Sequence, residues 1–74
     1  MVAFAELIKE DLESQRNLLD QYKKELRDLN ERRGLYYYTP AFEVPIAKKR
    51  LQESIRDIEE NVLPRLQEEL EACV

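Results

Sequence analysis

The chain has 74 residues and a net charge of −4, with 38% charged and 43% hydrophobic residues, one cysteine and no histidine. A chain of this length forms a single domain, residues 1–74, whose isolated core is marginal without disulfides, metal or partners. The single cysteine excludes an intrachain disulfide, and a lone thiolate without histidine excludes a structural zinc site. The acidic balance disfavours broad binding to nucleic acid or to anionic membranes.

A heptad of apolar residues predicts the first helix, from about residue 3 to residue 33. Seven side chains take its a and d positions: Ala5, Ile8, Leu12, Leu19, Tyr22, Leu26 and Leu29. Phe4, Leu7 and Leu18 widen this stripe, as expected for a helix that contacts two neighbours. The pattern therefore predicts an amphipathic helix with coiled-coil-like packing.

One polar residue interrupts the heptad, and a glycine marks the end of the helix. Gln15 is either a partly exposed side chain where the bundle bends or a buried amide that specifies the register. Arg32 and Arg33 lie where cations favour the end of a helix, and Gly34 follows in the position of a left-handed cap. We therefore expect a loop over residues 34–44.

The second helix is predicted from about Pro45, a suitable first-turn residue, to about residue 73. Its apolar positions are Leu51, Ile55, Ile58, Val62, Leu66, Leu70 and Cys73. Pro64 lies within this helix and removes one backbone donor, so we expect a single helix kinked near Pro64, with a break at Asn61 as the alternative.

Folding the two helices back on each other brings apolar residues opposite one another along the whole length. Leu26 then faces Leu51, Leu12 faces Leu66, and Gln15 lies near Val62. The predicted fold is all-α: an antiparallel two-helix hairpin that dimerises into a four-helix bundle, because the wide apolar stripe exceeds what one partner helix covers. We expect an oligomer core of Ile8, Leu12, Leu19, Tyr22, Leu26, Leu29, Leu51, Ile55, Ile58, Val62, Leu66 and Leu70.

The sequence contains no catalytic, cofactor-binding or metal-binding constellation. It has no glycine-rich phosphate loop, and its two serines have no histidine that could act as a base. Pairs such as Glu59-Glu60 are expected on solvated helix faces, since carboxylate-bridged metal bundles also need histidine ligands. We therefore expect a protein that is not an enzyme, needs no cofactor and does not enter membranes. It is expected to be cytoplasmic, because the first residues do not resemble a signal peptide.

The predicted loop is unusually aromatic and is flanked by cations. Four of the six aromatic residues lie in it: Tyr36, Tyr37, Tyr38 and Phe42. These rings either seal the end of the bundle or form a docking patch for a partner, and both can hold for different residues. Residues 27–50 carry six basic and three acidic residues, a net of +3. Residues 1–14 and 65–74 together carry two basic and seven acidic residues, a net of −5.

These features lead to two hypotheses about function. The first is a self-associating protein–protein interaction module, a small adaptor, regulator or inhibitor, that binds its partner at the loop end. In outline, the hairpin also resembles the Rop protein, in which two antiparallel helices dimerise into a bundle. That resemblance of shape implies the alternative, a nucleic-acid-binding hairpin. The residues expected to contact a partner are Tyr36, Tyr37, Tyr38, Phe42, Arg32, Arg33, Lys48, Lys49 and Arg50.

Overall fold

A computed structural model describes residues 4–73, in which all regular secondary structure is helical. The elements are helix α1 (Phe4–Glu31), a 3-10 turn (Gly34–Tyr36), helix α2 (Val44–Asp57), a π-helical turn (Ile58–Val62) and helix α3 (Leu63–Ala72). The last three follow one another without interruption and form the second limb of a hairpin, packed along α1. The predicted two-helix hairpin is confirmed. It is a rod of 49 × 20 × 14 Å. The predicted start of the first helix, at residue 3, lies outside the described residues.

Helix α1 ends two residues earlier than predicted, and its left-handed cap is not the glycine. Arg32 has a φ of 55°. The Arg32 amide donates to the Leu29 carbonyl at 3.2 Å and the Arg33 amide to the Asp28 carbonyl at 2.8 Å. This pair of bonds defines a Schellman cap with arginine in the position usually taken by glycine. Gly34 also has a positive φ, 56°, but it lies in the loop beyond the cap.

Helix α2 begins at Val44, one residue before the predicted start. Pro45 lies in its first turn, where a missing backbone N–H leaves no intrahelical bond unmade. The Glu43 amide donates to the Pro40 carbonyl at 2.9 Å, so a tight turn leads directly into the helix. The connection between α1 and α2, residues 32–43, is therefore held by backbone hydrogen bonds.

A π-helical turn stands directly before Pro64, where the sequence predicted a kink. The Leu63 amide donates to the Ile58 carbonyl, five residues earlier. Proline has no amide hydrogen, and its ring clashes with the carbonyl four residues before it in an α-helix. The wider π turn relieves that conflict within a helix that does not break at Asn61.

The π turn also rotates the second half of this limb. A π turn holds one residue more than an α turn. The residues after it are therefore rotated backwards about the helix axis by about 100°, the rotation per residue of an α-helix, relative to their positions in an uninterrupted α-helix. Leu63, Leu66 and Leu70 are half-buried after this rotation. An uninterrupted α-helix would carry them progressively away from α1. The turn therefore keeps the apolar stripe of the second limb aligned with the first.

The core is small. Six of the predicted core side chains are buried: Ile8, Leu12, Leu19, Leu29, Leu51 and Ile58. Among residues 4–73, Leu29 is the one large side chain that is fully enclosed. Gln15 shares a groove with Val62, as the predicted register requires, and Leu12 shares one with Leu70, one turn from its predicted neighbour.

Candidate interaction surfaces

The loop end is an ordered structure held by its own backbone. The amides of Tyr36, Tyr37 and Thr39 each donate to a carbonyl three residues earlier, at 3.0 to 3.3 Å. Arg32 reaches across the loop, and its Nη2 donates to the Thr39 carbonyl. The Arg32 side chain is half-buried, and its Nε is a buried atom without a hydrogen-bond partner among residues 4–73. Arg32, expected to contact a partner, thus fastens the loop to the end of α1.

The three consecutive tyrosines have different environments. Tyr36 is half-buried. Its pKa is raised above the ordinary value of 10.0 by burial and by the nearby carboxylates of Glu25 and Asp28 on α1. Tyr37 and Tyr38 are exposed and contact each other edge to face, with ring centroids 4.8 Å apart. One tyrosine therefore covers the end of α1, and two project into solvent.

The exposed apolar side chains of the loop end form what we call the aromatic tip. It comprises Leu35, Tyr37, Tyr38, Phe42 and Ile46. Their exposed fractions run from 51% for Ile46 to 94% for Leu35, so this end presents several large apolar groups to solvent. Concentrations of exposed apolar surface on a small protein are typical of interaction sites.

Cations adjoin the aromatic tip, and they differ in how they are paired. Arg33 forms an ion pair with Glu31 at 3.1 Å, and Lys49 approaches Glu53 at 4.0 Å. Lys48 and Arg50 form no ion pair within the part of the chain that the structure describes. Arg50 lines a groove together with Phe42, Ile46 and Ala47, and the Glu43 carboxylate also belongs to the lining, so the groove combines apolar walls with one charge of each sign. Ile46 is not among the residues that the sequence predicted to contact a partner. Its spacing of four residues from Phe42 is the signal that could have identified it.

The two broad sides of the rod differ in charge. One side carries the ion pair between Lys23 and Glu59, at 3.9 Å, which links the two limbs. Ten charged or polar residues line its grooves: Lys9, Glu13, Arg16, Asn17, Asp20, Gln52, Arg56, Glu59, Glu60 and Gln67. The other four lining residues are apolar: Leu12, Leu26, Ile55 and Leu70. The other side has a groove, here called the central groove, whose lining includes Gln15, Leu18, Tyr22, Ser54 and Val62. Asp57 is the one charged residue in that lining.

The twelve residues expected in the oligomer core divide into two equal groups. Six are buried within the hairpin, as described above. The other six are only half-buried: Tyr22, Leu26, Ile55, Val62, Leu66 and Leu70. Gln15 is likewise half-buried in the central groove. The hairpin thus leaves part of its apolar stripe in contact with solvent.

The elongated rod exposes more surface than a compact protein of the same mass. The chain exposes 5932 Å². A compact monomer of 8.9 kDa exposes about 4,800 Å² by the scaling of surface with mass. The excess of about 1,100 Å² is comparable to the surface that one partner contributes to a protein–protein interface, about 800 Å².

The Asp, Glu and Cys side chains of residues 4–73 form no group of three or more positioned to hold a metal ion. None of the helices within these residues has the length and apolar character needed to cross a bilayer. No protein-family model, curated protein or solved structure matches the chain.

Proposed function

We propose that this chain is a non-enzymatic helical interaction module that self-associates and binds another protein through its aromatic tip. The observation that carries the proposal is the tip itself: several large apolar side chains stand exposed on a hydrogen-bonded loop. A loop already ordered before binding loses little conformational entropy when a partner docks. In this role the chain acts as a small adaptor, regulator or inhibitor of the protein that it binds.

The chemistry of the tip favours a partner segment that is both apolar and acidic. Tyrosine is enriched among the residues that dominate binding energy at interfaces, and exposed rings supply contact area at low entropic cost. Lys48 and Arg50 beside the tip can attract and orient a carboxylate, which raises the association rate. The groove lined by Phe42, Ile46 and Arg50 offers apolar and cationic contacts together, beside one carboxylate of its own, Glu43.

Self-association into a homodimeric four-helix bundle is the second part of the proposal. It is supported by the half-buried apolar residues along both limbs, and by the excess surface of about 1,100 Å² relative to a compact monomer. Light scattering at micromolar concentration should give about twice the mass of 8.9 kDa. A well-folded monomer that persists at high concentration would contradict this part.

Affinity capture from the native host tests partner binding. Phe42→Ser removes a ring that is 73% exposed in the tip, and Lys24→Ser, at an exposed position on α1 away from the loop, is the control. We expect Phe42→Ser to abolish capture of the partner and Lys24→Ser to retain it. Thermal melts and light scattering of both variants check that fold and mass are unchanged. Equal capture by both variants would remove the tip from the binding surface.

The alternative function is nucleic-acid binding by the Rop-like hairpin. Lys48 and Arg50, unpaired among the described residues and close to exposed rings, favour it, because single-stranded nucleic acid binds by base stacking between cations. A mobility shift with RNA or DNA decides between the two functions. Binding that weakens steeply with salt, and weakens further in Lys48→Gln, would favour nucleic acid over a protein partner.

A further inference from the structure

The rod is electrically polar along its length. The loop end, residues 27–50, carries six basic and three acidic residues, a net of +3. The open end, residues 1–14 and 65–74, carries two basic and seven acidic residues, a net of −5. Two such rods placed side by side in the same direction bring like charges together at both ends. Placed in opposite directions, they bring each basic end against an acidic one.

We propose that two copies pack antiparallel through the central groove, so that the aromatic tips lie at opposite ends of the dimer. This inference rests on the proposed self-association and specifies its geometry. The occupant of the groove is the same groove of a second copy, related by a twofold axis perpendicular to the rod. Such an interface is self-complementary, as closed dimers require.

The composition of the two sides selects the central groove. Packing the opposite side would bury the ion pair of Lys23 with Glu59 and the many charged groups around it, and burying charges carries a desolvation penalty. The grooves of that side also contain the half-buried Leu26, Ile55 and Leu70, but ten charged or polar residues line the same grooves. The central groove has the half-buried Leu18, Tyr22 and Val62 with one charged residue, Asp57, in its lining. Gln15 and Ser54 are neutral groups that can form hydrogen bonds across an interface.

The position and size of this side agree with a full-length contact. Leu18 lies at the midpoint of α1, which runs from Phe4 to Glu31, so an axis near Leu18 makes the two rods overlap along their whole length. A side 49 Å long and 20 Å wide has a projected area of about 1,000 Å². That area exceeds the ~800 Å² that each partner contributes to a standard interface.

This geometry has a consequence for partner binding. The dimer carries two aromatic tips separated by about the length of the rod, so it can hold two partner molecules at once or bind two sites of one assembly. Linked sites gain avidity only when both can be engaged together, and a rigid rod sets the spacing at which that occurs.

Pulsed electron spin resonance on the wild-type chain measures the orientation directly. Cys73 is the one cysteine, lies at the open end and is exposed, so a nitroxide attached there labels each copy once. We expect an intermolecular distance of about 40 Å, the rise of the 28 residues of α1 at 1.5 Å each. A distance below about 20 Å, equivalent to two helix diameters, would overturn the antiparallel arrangement. A monomeric mass without an intermolecular distance would refute self-association itself, which is a separate outcome.

A charge placed in the central groove tests which side is used. Leu18→Glu puts two carboxylates at the proposed axis, and Asn17→Glu, one residue away on the charged side, is the matched control. We expect Leu18→Glu to raise the dimer dissociation constant at least tenfold, since like charges facing each other oppose association, and Asn17→Glu to leave it within about threefold. Thermal melts of both variants verify folding. An equal effect of the two substitutions would overturn the assignment of the central groove.

Discussion

The three loop tyrosines offer the sharpest test of how the loop end is built. Changing Tyr36 or Tyr38 to serine removes the same ring from two neighbouring positions of one loop. A fully enclosed tyrosine buries about 200 Å². More than half of that area is enclosed at Tyr36. At ~25 cal/mol per Å², the ring therefore contributes at least about 2.5 kcal/mol to the folding free energy. Tyr38 is 88% exposed, and the same calculation gives about 0.5 kcal/mol.

Urea denaturation followed by circular dichroism measures both changes. We expect Tyr36→Ser to lower the denaturation midpoint and to reduce the melting temperature by about 10–20 °C, at unchanged denaturant slope. Tyr38→Ser should be thermally silent but impair partner capture. Protein concentration must be equal in all samples, because self-association contributes to apparent stability. Equal destabilisation by both substitutions would refute the division of the tyrosines into one sealing and two docking residues.

Three further predictions follow from burial and from the π turn. The pKa of Tyr36 is raised in the folded state, so the folded chain binds the phenolic proton more tightly than the unfolded chain does. The free energy of unfolding should therefore fall as pH rises above 10.0, and it should fall less in Tyr36→Phe. Urea titrations across that pH range measure both effects. Leu29→Ala should lower the free energy of unfolding, measured by urea denaturation, by about 3–5 kcal/mol because Leu29 is fully enclosed. Leu35→Ala, at an exposed position, should change it by no more than about 0.5 kcal/mol. Similar values for the two variants would contradict the difference in burial. Pro64→Ala should change the free energy of unfolding by less than about 1 kcal/mol, because the packing of the apolar residues of the second limb against α1 maintains the π turn. A stabilisation near 3 kcal/mol would show that the proline strains the helix.

Periodicity identified the helices and their inward faces. The a and d positions of α1 include Ile8, Leu12, Leu19 and Leu29, all of which are buried. The spacing of residues along the sequence determines which side of a helix each side chain occupies, so the inward face can be predicted from the sequence alone. The same pattern could not distinguish Leu29, which is fully enclosed, from the half-buried Leu26. That difference arises from the tertiary packing of the two limbs.

Single residues such as glycine and proline predicted the local backbone less accurately where two conformations are possible. Glycine is the usual left-handed cap, yet Arg32 takes that position and Gly34 follows two residues later. The side chain of Arg32 donates a hydrogen bond to the carbonyl of Thr39, seven residues later, which no rule for helix caps anticipates. Pro64 indicated a disturbance in the second limb, but whether a helix kinks or forms a π turn depends on which apolar residues must face α1.

The aromatic tip shows the corresponding limit for function. Composition alone showed that the loop is aromatic and flanked by basic residues, and left sealing and docking as alternatives. Separating them required the burial of each ring, which assigns Tyr36 to the end of α1 and leaves Tyr37 and Tyr38 in solvent. The pairing of Arg33 with Glu31, and the absence of an ion pair at Arg50 among the described residues, also depend on three-dimensional placement.

Site-specific photo-crosslinking in the native host tests most directly whether the aromatic tip is a docking surface for another protein. A photoreactive phenylalanine analogue replaces Tyr38 in the tip, and the control places it at Lys24, which is exposed on α1 away from the loop. The proposed function predicts that irradiation at position 38 attaches the chain to a second protein species and that irradiation at position 24 does not. The same heterologous adduct from both positions, or adducts only with further copies of this chain, would contradict the account.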